Sequence, residues 1–140
     1  MPRDPWAFAK RWEAAWNGRD LEAVLDLFHD DATFSSPYGA SVVPGSGGIF
    51  RGKAELRAYW LKGLEALPDL RFAVESVFAG VDAIVLEYRN QRDVRVCEVL
   101  VFDDGLVRSG HGTYLDRGLE TGTGEPSAVP SETARSPSAP

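Results

Sequence analysis

The stretch VRVCEVLVFDDGLVRSGHGTY, residues 94–114, decides the fold. It reads as two long strands joined at an Asp-Gly turn, the dipeptide that best suits a two-residue hairpin. Alternation puts Val94, Val96, Glu98, Leu100 and Phe102 on one face of the first strand. Glu98 is the anomaly, a carboxyl group in an aliphatic row. The other face carries Arg95, Cys97, Val99 and Val101, so it too is largely apolar. A strand apolar on both sides needs cover on both sides. On the return strand Val107, Ser109, His111 and Thr113 share a face. If Val107 points inward, strict alternation takes His111 inward as well. An acid and an imidazole facing one cavity form a candidate proton-transfer site.

Upstream of the hairpin, Leu70, Phe72, Val74, Ser76 and Phe78 alternate along one strand, and residues 83–90 form another. With the hairpin they make four consecutive antiparallel strands. Before them, Lys53 to Leu67 has helical spacing, with Leu56, Tyr59, Trp60, Gly63, Leu64 and Leu67 inward and Pro68 as its stop. Residues 39–52 are rich in glycine and read as a loop. Their end, Gly47 to Ala54, nearly spells the phosphate-binding pattern G-x-x-x-x-G-K-[ST]. Ala54 stands where the magnesium-holding hydroxyl belongs, so the match fails.

Residues 32–36 read as a short strand stopped by Pro37, which leaves Ser36 and Tyr38 where the chain exits the sheet. Two helices open the chain. Asp4-Pro5 starts the first, which buries Phe8, Trp12, Ala15 and Trp16 and ends at Asn17-Gly18, with the glycine suited to a left-handed residue. Asp20 caps the second, which buries Leu21, Val24, Leu25 and Phe28. His29 follows, and the plain reading is a surface histidine near a helix end.

A single domain over 1–115 is expected, followed by a disordered tail over 116–140 whose Gly, Ser, Thr and Pro content offers little to bury. With 44% hydrophobic residues and four tryptophans the 140-residue chain is globular in character. The net charge of −6 and scattered basic residues argue against nucleic acid or an anionic membrane as partner. No apolar run approaches a membrane span. The one cysteine, Cys97, excludes an internal disulfide and a cysteine-based metal cage. Neither a metal nor an organic cofactor is expected, and the location expected is cytoplasmic.

The element order, together with Trp16 to Leu21, Leu27 to Phe34, Phe50-Arg51-Gly52 and Glu98 to Phe102, resembles the nuclear transport factor 2-like superfamily, in particular its SnoaL-like branch. The resemblance implies an α+β fold: a cone-shaped, curved antiparallel sheet wrapped by three N-terminal helices, with a hydrophobic pocket at one end. It also implies a homodimer through the outer sheet face, where Cys97, Val99 and Val101 await cover. Ketosteroid isomerases of this superfamily use an aspartate base where this chain has Ser36 and an oxyanion-hole tyrosine where it has Trp12. Their protonated aspartate falls at Glu98. SnoaL-type polyketide cyclases handle protons with a carboxylate and a histidine, for which this chain offers Glu98 and His111. Trp12, Trp16, Phe34, Ser36, Tyr38, Trp60 and Tyr88 are the expected ligand-binding residues, suited to a flat apolar ligand.

Two functions stay open. One is a cofactor-independent isomerase or cyclase acting by proton transfer on an apolar carbonyl or polycyclic substrate. The other is a non-catalytic ligand-binding or structural dimer in which Glu98 only ties the core, for instance to Tyr88.

Overall fold

The computed structural model describes residues 1–118. Most of the tail expected over 116–140 therefore lies outside the described residues. Helix α1 spans Pro5–Asn17, and the Asp4 side chain accepts a hydrogen bond from the Ala7 amide at 3.0 Å. Helix α2 spans Leu21–Leu25, with Asp20 capping it through the Ala23 amide at 3.1 Å. These caps satisfy amides that an isolated helix end leaves open. Between the helices the left-handed residue is Arg19, at φ 55°, while Gly18 stays right-handed at φ −81°. The expected glycine role is thus corrected. The Arg19 guanidinium donates to the carbonyls of Leu64 and Leu67, and that long-range anchor offsets the cost of its backbone.

Strand β1 runs Phe28–Ser35, earlier than expected, so His29 lies on a strand and its Nε2 sits 2.6 Å from the Asp103 carbonyl oxygen. The expected loop 39–52 contains structure of its own: helix α3, Pro37–Val42, and strand β2, Ile49–Arg51. Helix α4 follows at Gly52–Ala66 and buries Leu56, Tyr59, Trp60, Gly63 and Leu64. Strands β3 (Ala73–Ala79), β4 (Ala83–Arg89), β5 (Arg95–Asp103) and β6 (Leu106–Tyr114) follow within the described residues.

The sheet order is β2-β1-β6-β5-β4-β3. All neighbours are antiparallel except β1 and β6, which run parallel. The fold is therefore α+β as expected, with a mixed six-stranded sheet and four helices among the described residues. The Asp104-Gly105 turn has both residues at positive φ, 54° and 83°, as a two-residue hairpin requires.

The register shifts along β1, β3 and β6, and the shifts in β3 and β6 reset which side chains face the core. In β3 the shift lies between Val74 and Ser76. Val74 and Val77 therefore pair with the inward Tyr88 and Leu86, and Phe78 turns outward, 58% exposed. In β6 the extra residue is Arg108: Phe102 pairs with Val107, but Val101 pairs with Ser109. The Arg108 guanidinium holds the bulge by hydrogen bonds of 2.8 and 3.1 Å to one Asp103 oxygen.

The core lies between the sheet's inner face and helices α1 and α4. Phe8, Trp12, Trp16, Phe28, Leu56, Trp60, Ile84, Leu86, Val96, Leu100 and Val107 are buried there. Asn17 fastens the end of α1 to the chain entering β3: its Nδ2 donates to the Phe72 carbonyl at 2.9 Å, and its Oδ1 accepts from the Phe72 amide at 2.8 Å.

Candidate functional site

The inner face of β5 carries Val96, Glu98, Leu100 and Phe102, all buried, as alternation requires. Glu98 opens into a cavity also walled by Trp16, Phe34, Tyr59, Trp60, Phe72 and Tyr88. Ser36, Tyr38 and Tyr114 line it too, and residues 90–92 lie at its edge. The space free of atoms, counted out through the open mouth, is about 790 Å³. Opposite Glu98 on β6 stands Gly112, and a methyl group placed there would meet Ser36 at 3.6 Å. The missing side chain leaves the carboxyl group open to the cavity.

Glu98 is 6% exposed and accepts a hydrogen bond of 3.0 Å from the Tyr88 hydroxyl. Burial is the main cause that pushes its pKa from 4.5 up to about 7, while the Tyr88 bond pulls it down. A carboxyl group removed from water favours its neutral form. Three phenols lining the cavity shift the same way. Burial raises Tyr59, Tyr88 and Tyr114, and a hydrogen bond from Ser36 partly opposes this at Tyr59 and Tyr114. These phenols stay protonated near neutral pH and serve as donors. Ser36 is buried, and its Oγ also accepts from the Tyr38 amide at 3.2 Å, capping α3.

His111 is not in this cavity. It is exposed, pairs with Val99 on the outer face, and its Nδ1 lies 2.7 Å from the Ser35 hydroxyl. The expectation that it faces Glu98 fails because the bulge at Arg108 inserts one residue between Val107 and His111, which reverses the alternation. Trp12 is also displaced from its expected place. It is fully buried behind the wall, stacked on Phe72 at 5.5 Å and packed against Tyr88 at 5.0 Å, and does not line the cavity. The structure does bring together Glu98, Trp16, Phe34, Ser36, Tyr38, Trp60 and Tyr88. Tyr59 and Tyr114 join them without having been singled out. For Tyr59 the available signal was its inward place on α4 beside Trp60.

The indole N–H groups of Trp12 and Trp16 are buried with no acceptor among the described residues. Such donors are uncommon in native cores. Among the described residues, no group of three or more His, Cys, Asp or Glu side chains could hold a metal ion. Among the described residues, no helix is long and apolar enough to cross a membrane.

A bent sheet closed by N-terminal helices around such a cavity defines a nuclear transport factor 2-like, or cystatin-like, fold. Within that class, the chain belongs to the SnoaL-like domain family, whose sequence model matches residues 9–110. It is similar to the structure of a SnoaL-like protein of unknown function from Burkholderia thailandensis, at 34% identity and a TM-score of 0.74, over 79% of this chain and 94% of that one. It is similar in fold to TerC co-crystallised with polyporic acid, at 18% identity and a TM-score of 0.67, over 84% and 95% of the two chains. An NTF2-like protein of unknown function from Burkholderia pseudomallei matches at 20% identity and a TM-score of 0.63, over 79% and 90%. Comparison with curated proteins finds no match.

Proposed function

We propose that this protein binds a flat, largely apolar carbonyl compound in the cavity and moves a proton on it through Glu98. The observation that carries this reading is a buried carboxyl group, poised at about 7, at an opening between aromatic walls. Near neutral pH both of its forms are populated, so one group can take a proton and return it. The carboxylate removes a proton from the carbon alpha to the ligand's carbonyl. The electron pair moves into an enolate, whose oxygen is met by the protonated phenols of Tyr59 and Tyr114. The Glu98 carboxylic acid then returns the proton to another carbon of the same conjugated ligand, giving an isomer, or, where the enolate carbon first attacks a second carbonyl of the ligand and closes a ring, to the alkoxide oxygen formed there. That TerC was crystallised with polyporic acid supports a cyclic organic ligand for this fold.

The test uses 1-tetralone, a bicyclic ketone with exchangeable protons beside its carbonyl. In deuterated buffer the wild type is expected to speed deuterium uptake at that carbon above the buffer rate, and Glu98→Gln to lose the effect. Uptake that survives Glu98→Gln rejects the mechanism. A second reading is non-catalytic binding, favoured by the displacement of His111, which leaves Glu98 as the one ordinary acid-base group among the described lining residues. Saturable binding of the ketone with no excess exchange would select it.

The same reading includes a homodimer through the outer sheet face. Val85, Cys97, Val99 and Val101 are only half-buried there, beside Phe78, which pairs with Val85 and is 58% exposed. Such a contiguous apolar face marks an interaction surface. Val99→Glu is expected to convert a sedimenting dimer into a monomer, and a wild type that sediments as a monomer at micromolar concentration rejects this part. The reading also puts the protein in the cytoplasm, where Cys97 stays reduced.

A further inference from the structure

The inward row of β4 does not stop where the strand does. Ile84, Leu86 and Tyr88 face the core, and the same alternation carries Asn90, the first residue past β4, inward as well. Asn90 is half-buried and lines the cavity. Tyr88 and Glu98 line it too, and Glu98 pairs with Leu86. Glu98 and Asn90 are therefore four strand positions apart along the sheet, about 13 Å at strand rise.

Asn90 is held in one orientation. Its Oδ1 accepts from the backbone amides of Arg92 and Val94, at 2.9 and 3.1 Å. Its backbone amide donates to the Val94 carbonyl at 3.0 Å, and its own carbonyl accepts from the Asp93 amide at 2.9 Å. Two donors meet the side chain at one atom, so that atom is the amide oxygen and the NH₂ group lies on the other side of the carboxamide. Among the described residues, both hydrogen bonds of the Asn90 side chain fall on that oxygen. The polar function that Asn90 has left for the cavity is its pair of Nδ2 donors.

We propose that Asn90 is a specificity-determining residue whose Nδ2 group donates to a neutral acceptor oxygen, an ether or a carbonyl, on the outward end of the ligand. This rests on the pocket reading above and narrows its substrate class to compounds with an oxygen function at each end. The inward oxygen is that of the carbonyl whose neighbouring carbon Glu98 deprotonates. The outward oxygen needs neither a charge nor a proton of its own. A hydrogen bond at each end takes up about 3 Å of the wall, which leaves about 7 Å between the two oxygens. A fused two-ring skeleton spans that length, and Trp16, Phe34, Trp60 and Phe72 offer it aromatic walls. An analogue with a methylene in place of the outward oxygen strips water from Nδ2 and gives it no acceptor, and the discrimination comes from that loss.

The test compares 6-methoxy-1-tetralone with 6-ethyl-1-tetralone, which has nearly the same shape and a methylene where the ether oxygen stands. Titration calorimetry on the full chain is expected to show the wild type preferring the methoxy compound by about fivefold, the worth of one neutral hydrogen bond. Asn90→Asp keeps an oxygen for both backbone amides, and aspartate suits such a turn, so the fold is expected to hold. It puts a second acceptor where the donor was, and the preference should vanish or reverse. The ratio is read within each protein, so a change in overall pocket affinity cancels. Equal affinity of the wild type for the two compounds, or a preference that survives Asn90→Asp, overturns the assignment of Asn90 and leaves the pocket reading standing. Binding of neither compound at millimolar concentration overturns both.

Discussion

Glu98 and His111 lie on neighbouring strands of one sheet and point to opposite sides of it. Glu98 pairs with Gly112 and faces the cavity, while His111 pairs with Val99 and faces out. In the mechanism proposed above, the cavity's proton chemistry therefore falls to Glu98, with the phenols as donors. His111→Ala is expected to leave the affinity for 1-tetralone within about twofold of wild type, the range of a substitution away from the core. Calorimetry checks this. A tenfold loss would mean that the imidazole reaches the ligand after all.

The shifted Glu98 ties stability to pH. Its pKa is about 7 in the folded protein against 4.5 as a free carboxyl group. The folded state thus holds a proton that the unfolded chain gives up between these values. Stability from this group is full below pH 4.5, falls as pH rises toward 7, and levels off above, a total of about 3 kcal/mol. Glu98→Gln cannot ionise. It should match the wild type at pH 5 and exceed it at pH 8 by a few kcal/mol, read as urea midpoints at the two pH values. A variant less stable than wild type at pH 8 would contradict the burial argument.

The two glycines beside His111 make different demands. A methyl group on Gly110 would lie 2.8 Å from Phe34 and 3.1 Å from Leu100, both buried. Gly110→Ala should therefore destabilise by about 1–3 kcal/mol, the cost of overpacking a core. On Gly112 the nearest atoms are those of Ser36 at 3.6 Å, an ordinary contact. Gly112→Ala should fold with nearly wild-type stability and instead weaken ligand binding, because its methyl group enters the cavity beside Glu98. Thermal melts and calorimetry separate the two outcomes.

How far these features were legible depends on whether the signal was local. The row Val96, Glu98, Leu100, Phe102 could be read from alternation alone, and so could the Asp104-Gly105 turn, because both depend on residues within a few positions. The facing of His111 could not. It turns on the bulge at Arg108, which is held by Asp103 on the neighbouring strand. The same limit hid the outward turn of Phe78. Trp12 and Trp16 share one helical stripe, and only the packing of Phe72 and Tyr88 decides that Trp12 is sealed while Trp16 lines the cavity. Tyr114 reads as the last residue of a strand until β1, pairing in parallel with β6, brings Ser36 to it.

Tyr88 offers the sharpest probe of how Glu98 is tuned. Its hydroxyl is the hydrogen-bond partner of the carboxyl group, at 3.0 Å, and this bond lowers a pKa that burial raises. Tyr88→Phe keeps the ring, which packs between Trp12 and Phe72 at centroid distances of 5.0 and 4.7 Å, and removes only the donor. The Glu98 titration, followed by carbon-13 NMR of labelled glutamate, should then move above its wild-type midpoint of about 7. Above that midpoint the ionised carboxylate lacks its donor, so the variant should lose about 1–3 kcal/mol at pH 9 and less at pH 5. The pH dependence of deuterium exchange should shift upward with the NMR midpoint, since in the proposed mechanism the carboxylate is the form that takes the proton. A midpoint that stays put or falls would show that the phenol does not stabilise the ionised carboxyl group, and the tuning would then have to come from burial alone.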